Sequence, residues 1–364
     1  MWGSRKRSRI SVLLDDIATS IKSQNIVSLR KSLIECGKGN FKLSLEQMEF
    51  RGYHFITDYL EYIQSGNLES LTNCMRKITI QYIEEEWLFR IFVFFVIQCK
   101  KKSTKLDLEI SSQRWRKKMI EIYRELFPLL YKEREKLSGT AILVSQLLQL
   151  YIALDQVKLC SHILAALSTA LAKEGGFDPQ SVPQFVAVSL YFNWGKFLLL
   201  ENKYLEAREK FAWAFQNRKS TQIAQLLIPA MIATGSFVKT SLIPPSLSYL
   251  IRLTEAIKQG DIERYNVEFE KNRLTLAECG TLILMENCKL VCYRNLAKRI
   301  CTILATHQID LAIIEKVWPT DFDQMICVLA DLIYAGALKG YIALEHNKLV
   351  ISKVNPFPNL GSIL

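Results

Sequence analysis

The sequence predicts an all-α helical-repeat (TPR-like) solenoid that ends in a winged-helix subdomain. Two observations predict this fold class. Apolar residues recur at three- and four-residue spacing over most of the chain, which is the period of an amphipathic helix. Near the C-terminal end the period changes to two over the short runs GYIAL and KLVIS, which is typical of paired β-strands.

Composition limits the number of domains and the class of protein. The chain has 364 residues, 49% of them hydrophobic, which suffices for two or three units with cores of their own. The net charge of +11 is compatible with an anionic partner and equally with a basic surface that binds nothing. Nine cysteines without a CxxC pair favour buried free thiols in a reducing compartment over a metal site.

Residues 1–183 are predicted to form an N-terminal helical region. The apolar run from Trp87 to Ile97 is interrupted by Arg90 and is too short to span a membrane, so we expect a core helix. No secretory signal is expected, because the basic run Arg5–Arg9 is not followed by an apolar stretch. Two basic clusters are expected to close one helix and open the next: Lys100, Lys101, Lys102 and Lys105, then Arg114, Arg116, Lys117 and Lys118. The linker KEGGFDPQSVP ends this region.

Residues 184–306 are predicted to form a TPR-like helical part. Five residues match a tetratricopeptide repeat in type and spacing: Tyr191, Gly195, Ala207, Phe211 and Ala214. Gly195 and Ala207 are small, so two antiparallel helices can approach each other closely, while Tyr191 and Phe211 fill the gaps. Lys219 stands where the repeat would have its last proline, so we predict one degenerate repeat rather than an array.

A second helix pair is predicted after Pro245. Its first helix is Ser246–Lys258, its corner is Gly260 with Asp261, and the apolar face of its second helix carries Ile262, Tyr265 and Phe269. Further helices are expected from Thr275 to about Thr306. Stacked helix pairs of this kind present an extended surface.

Residues 307–358 are predicted to form the winged-helix part, and residues 359–364 a tail. The outline is helix, turn, helix and β-hairpin, with the hairpin turn at Glu345–Asn347. The residues that mark the two helices are the cap Asp310, the apolar Ile313, Ile314 and Val317, the breaker Pro319, the capping pair Thr320 and Asp323, and the stop Gly336.

This layout, with the segments YFNWGKFLLLENKYLEA, AIKQGD, YRNLAKRI and LADLIYAGALKGYIALEHNKLVISKVNPFP, resembles the PCI-domain family. These segments resemble the PCI subunit of the second transcription-export complex, a nuclear-pore assembly for mRNA export. A sister protein that associates with the signalosome has much the same motifs. The alternative is a subunit of the signalosome or of another PCI assembly, such as the proteasome lid or a translation initiation factor, that acts only in protein–protein assembly. The resemblance implies a nuclear, non-enzymatic subunit that binds a large scaffold protein of the GANP or Sac type. It also implies a small acidic disordered protein that clasps the winged helix, and binding of RNA or DNA shared with the scaffold.

Enzymatic motifs are absent from the sequence. It contains no GxxxxGK[ST], GxGxxG, HExxH or GxSxG segment, and its four histidines are isolated from one another. We therefore expect no catalytic residue, cofactor or metal.

The second helix of a winged helix commonly reads bases in the major groove. Here that helix, Asp321–Ala335, has no Lys or Arg and three aspartates, so it would repel phosphates. Nucleic acid is instead expected to contact the wing and the preceding helix through Lys289, Arg294, Lys298, Arg299, Lys339, Lys348 and Lys353. Such contacts bind the phosphate backbone, so affinity should depend steeply on salt concentration and hardly at all on base sequence. Helical spacing puts Arg294 and Lys298 on one face and Arg299 elsewhere.

The wing is also a candidate protein-binding surface, with Tyr341, Leu349 and Ile351 as the predicted partner-binding residues. One face of its sheet must pack on the helices, while the outer strand is expected to keep an unpaired edge that can accept an extended segment. The alternative in which the lysines are only solvated and the wing binds protein alone stays open.

Overall fold

The computed structural model describes residues 9–36, 53–170, 177–318 and 321–360. The chain divides into two compact units, Met1–Leu190 and Tyr191–Leu364. Residues 173–176 of the predicted linker, residues 5–8 of the basic run, and the predicted Pro319 breaker and Thr320 cap lie outside the described residues.

The described part of the first unit is helical, and most helices that are consecutive in sequence pack against each other. Their bounds are α1 (Arg9–Lys22), α2 (Ile26–Cys36), α3 (His54–Ser65), α4 (Leu68–Glu84), α5 (Phe89–Ile110), α6 (Arg114–Lys132), α7 (Leu137–Ala153), α8 (Val157–Ala170) and the first part of α9 (Gln184–Leu200). The expectation of a core helix after Trp87 is confirmed, since Phe92 and Phe95 of α5 are fully buried. The lysine cluster that begins at Lys100 does not close this helix, because α5 continues to Ile110.

The second unit carries the remaining helices and a small sheet. Their bounds are α10 (Tyr204–Asn217), α11 (Thr221–Ala233), α12 (Ser248–Gln259), α13 (Ile262–Lys271), α14 (Arg273–Glu278), α15 (Leu282–Leu304), β1 (Gln308–Asp310), α16 (Leu311–Val317), α17 (Phe322–Tyr334), β2 (Gly340–Ala343) and β3 (Lys348–Ile351). The predicted fold class, a helical solenoid followed by a winged helix, is confirmed.

The predicted repeat is the helix pair α9 and α10. A Cβ on Gly195 would lie 2.7 Å from a ring carbon of Phe211, so the absent side chain is what allows the ring to lie against α9. Ala207, Phe211 and Ala214 are all fully buried on α10. The small and large residues therefore have the packing roles that their spacing predicts.

The three strands form an antiparallel sheet in the order β1-β3-β2. The hairpin β2–β3 is as predicted, and Asn347 closes its turn with a positive φ of 52°. Strand β1 was not predicted, and its pairing with β3 makes β3 the central strand. The second strand of the hairpin is therefore not an outer strand, and among the described residues β2 carries the hairpin's free edge.

The winged helix shares one hydrophobic core with α12 to α15. Trp318, just after α16, stacks on Tyr293 of α15 with ring centroids 4.3 Å apart. Asp310 caps α16 as predicted, accepting a hydrogen bond from the amide of Ala312. The apolar face of α16 differs from the prediction, because Ile314 is buried but Ile313 and Val317 are exposed.

Helix α15 also holds the corner between α12 and α13. The Asn295 amide donates a 2.8 Å hydrogen bond to the Ile257 carbonyl, which belongs to the last turn of α12. Gly260 ends α12 at a φ of 68°, and a Cβ there would lie 2.5 Å from the backbone nitrogen of Leu296. The motifs AIKQGD and YRNLAKRI are thus the two sides of one close helix contact.

The cysteines are free thiols, and all nine lie among the described residues. Burial raises the pKa of the Cys36 and Cys301 thiols to about 11, because a thiolate is poorly solvated inside the protein. Cys327 differs from the prediction of burial, since it lies on the exposed side of α17.

Candidate nucleic-acid interface

The exposed face of α17 is acidic. Met325, Leu329 and Leu332 face the core, whereas Asp323 and Asp331 are exposed on the opposite side, and exposed Asp321 precedes the helix. Carboxylates on the solvent face would meet the phosphates of a duplex if this helix entered the major groove. The geometry agrees with the prediction that α17 is not a base-reading helix.

Three predicted lysines are exposed around the hairpin. Lys348 lies at the turn end, opposite Ala343 on β2 and Asp310 on β1. Lys339 lies at the other end, where its carbonyl accepts a 2.8 Å hydrogen bond from the amide of Ser352, beside Lys353. At about 3.3 Å per residue the strands set the two ends about 13 Å apart, which is roughly four nucleotides along a nucleic-acid strand at about 3.4 Å each.

Arg294 is buried, so its assignment to the nucleic-acid surface is wrong. Its side chain is 8% exposed and donates hydrogen bonds to three carbonyls of the winged helix and the segment after it: Ala337 (3.1 Å), Phe357 (3.0 Å) and Pro358 (2.7 Å). Burial lowers the pKa of this guanidinium, since desolvation disfavours the charged form. Arg294 is a structural residue that fixes the winged helix to α15.

The other basic residues of α15 point in different directions. Lys298 is exposed, one helical turn beyond Arg294. Arg299 is exposed as well, but its guanidinium donates to the Gln259 carbonyl at the end of α12. Lys289 is half-buried, with its ammonium 5.8 Å from the centre of the Tyr293 ring. Nine residues correspond to about half a rotation of the helix, so Lys289 and Lys298 lie on opposite sides and cannot serve one site.

Four exposed lysines remain from the predicted set, and we call them the basic rim: Lys298, Lys339, Lys348 and Lys353. Lys298 belongs with the wing because Arg294, one turn before it, contacts Ala337, two residues before Lys339. These four exposed lysines are therefore the candidate contacts for the backbone of an anionic polymer.

The predicted partner-binding residues separate into two groups. Tyr341 is 61% exposed on β2, beside the partly exposed Val350 of β3. Leu349 and Ile351 are buried in the core, so their assignment to a partner surface is wrong. The two faces of β3 alternate, and the inner face is taken by the helices. Leu344, exposed next to the turn, was missed, although the sequence places it at the end of an apolar strand.

The helices of the described part are unsuited to crossing a membrane, since none combines sufficient length with a sufficiently apolar run.

Comparisons with known proteins identify relatives over most of the chain. It is 30% identical over 238 residues to PCI domain-containing protein 2 of Danio rerio, which covers 62% of this chain and 58% of that protein. It is 30% identical over 243 residues to the PCI domain-containing protein 2 homolog of Drosophila melanogaster, covering 63% of this chain and 60% of the relative. The Protein CSN12 homolog of Schizosaccharomyces pombe is 27% identical over 238 residues, covering 60% and 55%.

The matched region spans less than two thirds of the length of these relatives. No model of a protein family matches the chain.

Proposed function

We propose, on the premise of the PCI-domain similarity that these relatives confirm, that the chain is a non-enzymatic scaffold subunit of a nuclear complex for transcription-coupled mRNA export. Within that complex the basic rim adds binding of RNA or DNA without regard to sequence. The observation that carries the nucleic-acid part is the distribution of charge on the winged helix. Lysines are exposed at both ends of the wing, while the exposed face of α17 carries carboxylates.

The charge distribution favours contacts with the phosphate backbone. Lysine is a point charge on a flexible stem, which suits phosphate binding better than base recognition. Each phosphate that a lysine neutralises releases counterions, so affinity should fall steeply as salt rises. Base edges would remain unread, since α17 has no basic residue to present to them.

Two protein partners belong to the proposal. A large scaffold protein of the GANP or Sac type would lie beside the winged helix, and a small acidic disordered protein would clasp it. Support comes from Tyr341, exposed on β2, from Leu344, exposed in the turn that follows β2, and from the outer edge of β2, which has no neighbouring strand among the described residues. An exposed edge and an apolar face together suit the addition of a partner segment.

The nucleic-acid part is tested by reversing three rim charges in the variant Lys298→Glu/Lys348→Glu/Lys353→Glu. Arg294 is left unchanged because it is buried. Binding of labelled single-stranded RNA and of duplex DNA is measured by fluorescence polarisation over a salt series. We expect the variant to lose at least about tenfold in affinity, and the slope of log affinity against log salt to fall by about 2, since each lost contact contributes roughly 0.7 to 0.9.

The matched control is Lys219→Glu/Lys239→Glu/Lys271→Glu, which makes the same change in net charge at exposed lysines of the second unit outside the rim. An equal loss in this control would mean that overall charge, and not the rim, binds nucleic acid. Unchanged binding by the rim variant at low salt would overturn the nucleic-acid part.

The second candidate function is that of a signalosome-associated PCI subunit that assembles only with proteins, and the similarity to Protein CSN12 homolog favours it. Affinity purification of the tagged chain from nuclei separates the two. Recovery of a large export scaffold supports the first function. Recovery of signalosome subunits without such a scaffold supports the second.

A further inference from the structure

The first unit contains an apolar groove between α2 and α5 that we call the cationic groove. Its volume is about 510 Å³. Ile34 of α2 together with Val93 and Ile97 of α5 contributes to its apolar floor, and Arg30, Arg90 and Lys101 line it as well. Phe185 of α9, 43% exposed, stands at its side.

The groove lies between two facing helices, and residues at helical spacing line it on each of them. On α5, Arg90, Val93, Ile97 and Lys101 recur at three- and four-residue intervals, so they form one stripe. On α2, Arg30 and Ile34 lie one turn apart, and exposed Val27 extends the same face. The stripe on α5 is about 16 Å long, equal to roughly three helical turns.

The groove is positive along its length. No Asp or Glu lines it, and within the described residues Arg30, Arg90 and Lys101 have neither an ion-pair partner nor a side-chain hydrogen bond. Some basic residues elsewhere in this unit do have ion-pair partners, as Arg76 does in Glu125 at 3.0 Å. Arg90 and Lys101 lie at opposite ends of the stripe, so one compact anion cannot contact both.

We propose that the cationic groove binds an acidic amphipathic helix of a protein partner. Apolar side chains of the helix would enter the floor at three- and four-residue spacing, and carboxylates along its flanks would pair with Arg30, Arg90 and Lys101. A single nucleic-acid strand would need several exposed aromatic platforms for successive bases, whereas among the described lining residues Phe185 is exposed and the other aromatic, Phe94, is buried. This inference does not rest on the proposed function, since it shares no residue with the basic rim.

The test uses the full chain and a fluorescein-labelled peptide of about 16 residues, long enough to cover the groove as a helix. The peptide carries leucine at helical three- and four-residue spacing and glutamate at most other positions. We expect the variant Arg90→Glu/Lys101→Glu to bind it at least about tenfold more weakly than the unchanged chain. The control Lys117→Glu/Lys132→Glu makes the same change in net charge at exposed lysines of α6 outside the groove and should bind the peptide normally.

Hydrogen exchange locates the contact. Added peptide should protect amides of α2 and α5, and a scrambled peptide with its leucines spread around the helix should protect neither. Equal binding of the scrambled peptide, protection elsewhere only, or an equal loss in the α6 control would overturn the proposal. It would also be overturned if single-stranded RNA bound the groove variant more weakly while the acidic peptide bound it unchanged.

Discussion

Arg294 illustrates how a basic side chain can be part of a core. A buried guanidinium is costly unless its N–H groups are hydrogen-bonded, and here three backbone carbonyls accept from it. The Ala337 carbonyl lies just beyond the end of α17, and the Phe357 and Pro358 carbonyls belong to the segment after the sheet. One long side chain therefore donates to carbonyls in two separate segments of the chain, which a shorter side chain could not reach together.

Replacing Arg294 tests this structural role. Arg294→Met keeps most of the apolar stem but leaves buried carbonyls without donors, so we expect the free energy of unfolding to fall by about 2–4 kcal/mol. Chemical denaturation followed by circular dichroism measures the change. Lys298→Met, one turn away and exposed, should change stability by less than about 0.5 kcal/mol. Similar effects of the two substitutions would contradict the assignment.

At the scale of single residues, the sequence predicts which side chains share a face better than it predicts which of them are buried. The spacing of Arg294 and Lys298 correctly relates them on α15, but it does not say that the winged helix covers the first and leaves the second exposed. The same holds for Leu349 and Tyr341, since alternation separates the faces of a strand without identifying which face is covered. Both outcomes depend on tertiary contacts between segments distant in the sequence.

The elements themselves follow largely from local patterns. The repeat pair, the corner at Gly260 and the hairpin were predictable because each has a signal in adjacent residues. Strand β1 has no such signal, because it has three residues with one buried side chain, and its strand character comes from pairing with β3. The predicted length of α5 was also wrong. The lysines from Lys100 onward were interpreted as the end of the helix, but the helix continues through them to Ile110.

The contact between α9 and α10 gives a prediction at the scale of elements. Alanine normally stabilises a helix relative to glycine by about 1 kcal/mol, but in Gly195→Ala the new methyl group would collide with the Phe211 ring. We expect the collision to dominate and the free energy of unfolding to fall by about 1–3 kcal/mol. Thermal denaturation of the variant measures the change.

A double-mutant cycle identifies the cause. Phe211→Leu removes the ring, so the double variant Gly195→Ala/Phe211→Leu should be destabilised by less than the sum of the single variants. Additive losses would show that the effect of Gly195→Ala does not come from this contact.

At the scale of the whole molecule, the second unit is organised by a core that continues from α12 through α15 into the winged helix. Tyr293, Asn295 and Leu296 follow one another along α15, and they contact Trp318, the end of α12 and the Gly260 corner respectively. The solenoid helices and the winged helix are therefore expected to unfold together, which fixes the position of the basic rim relative to α15. Rim lysines held in this way can bind a nucleic-acid backbone with a smaller loss of conformational entropy than lysines on a mobile segment.

Native-state hydrogen exchange of the variant Trp318→Ala tests this cooperation. Losing the buried indole should cost about 3–5 kcal/mol, and if the core is one unit the loss should appear as reduced protection in α15 and α17 alike. Trp318→Phe, which keeps a ring against Tyr293, should reduce protection less in both helices. Reduced protection confined to α16 and α17, with α15 unchanged, would mean that the winged helix opens on its own, and the other three rim lysines would then move independently of Lys298.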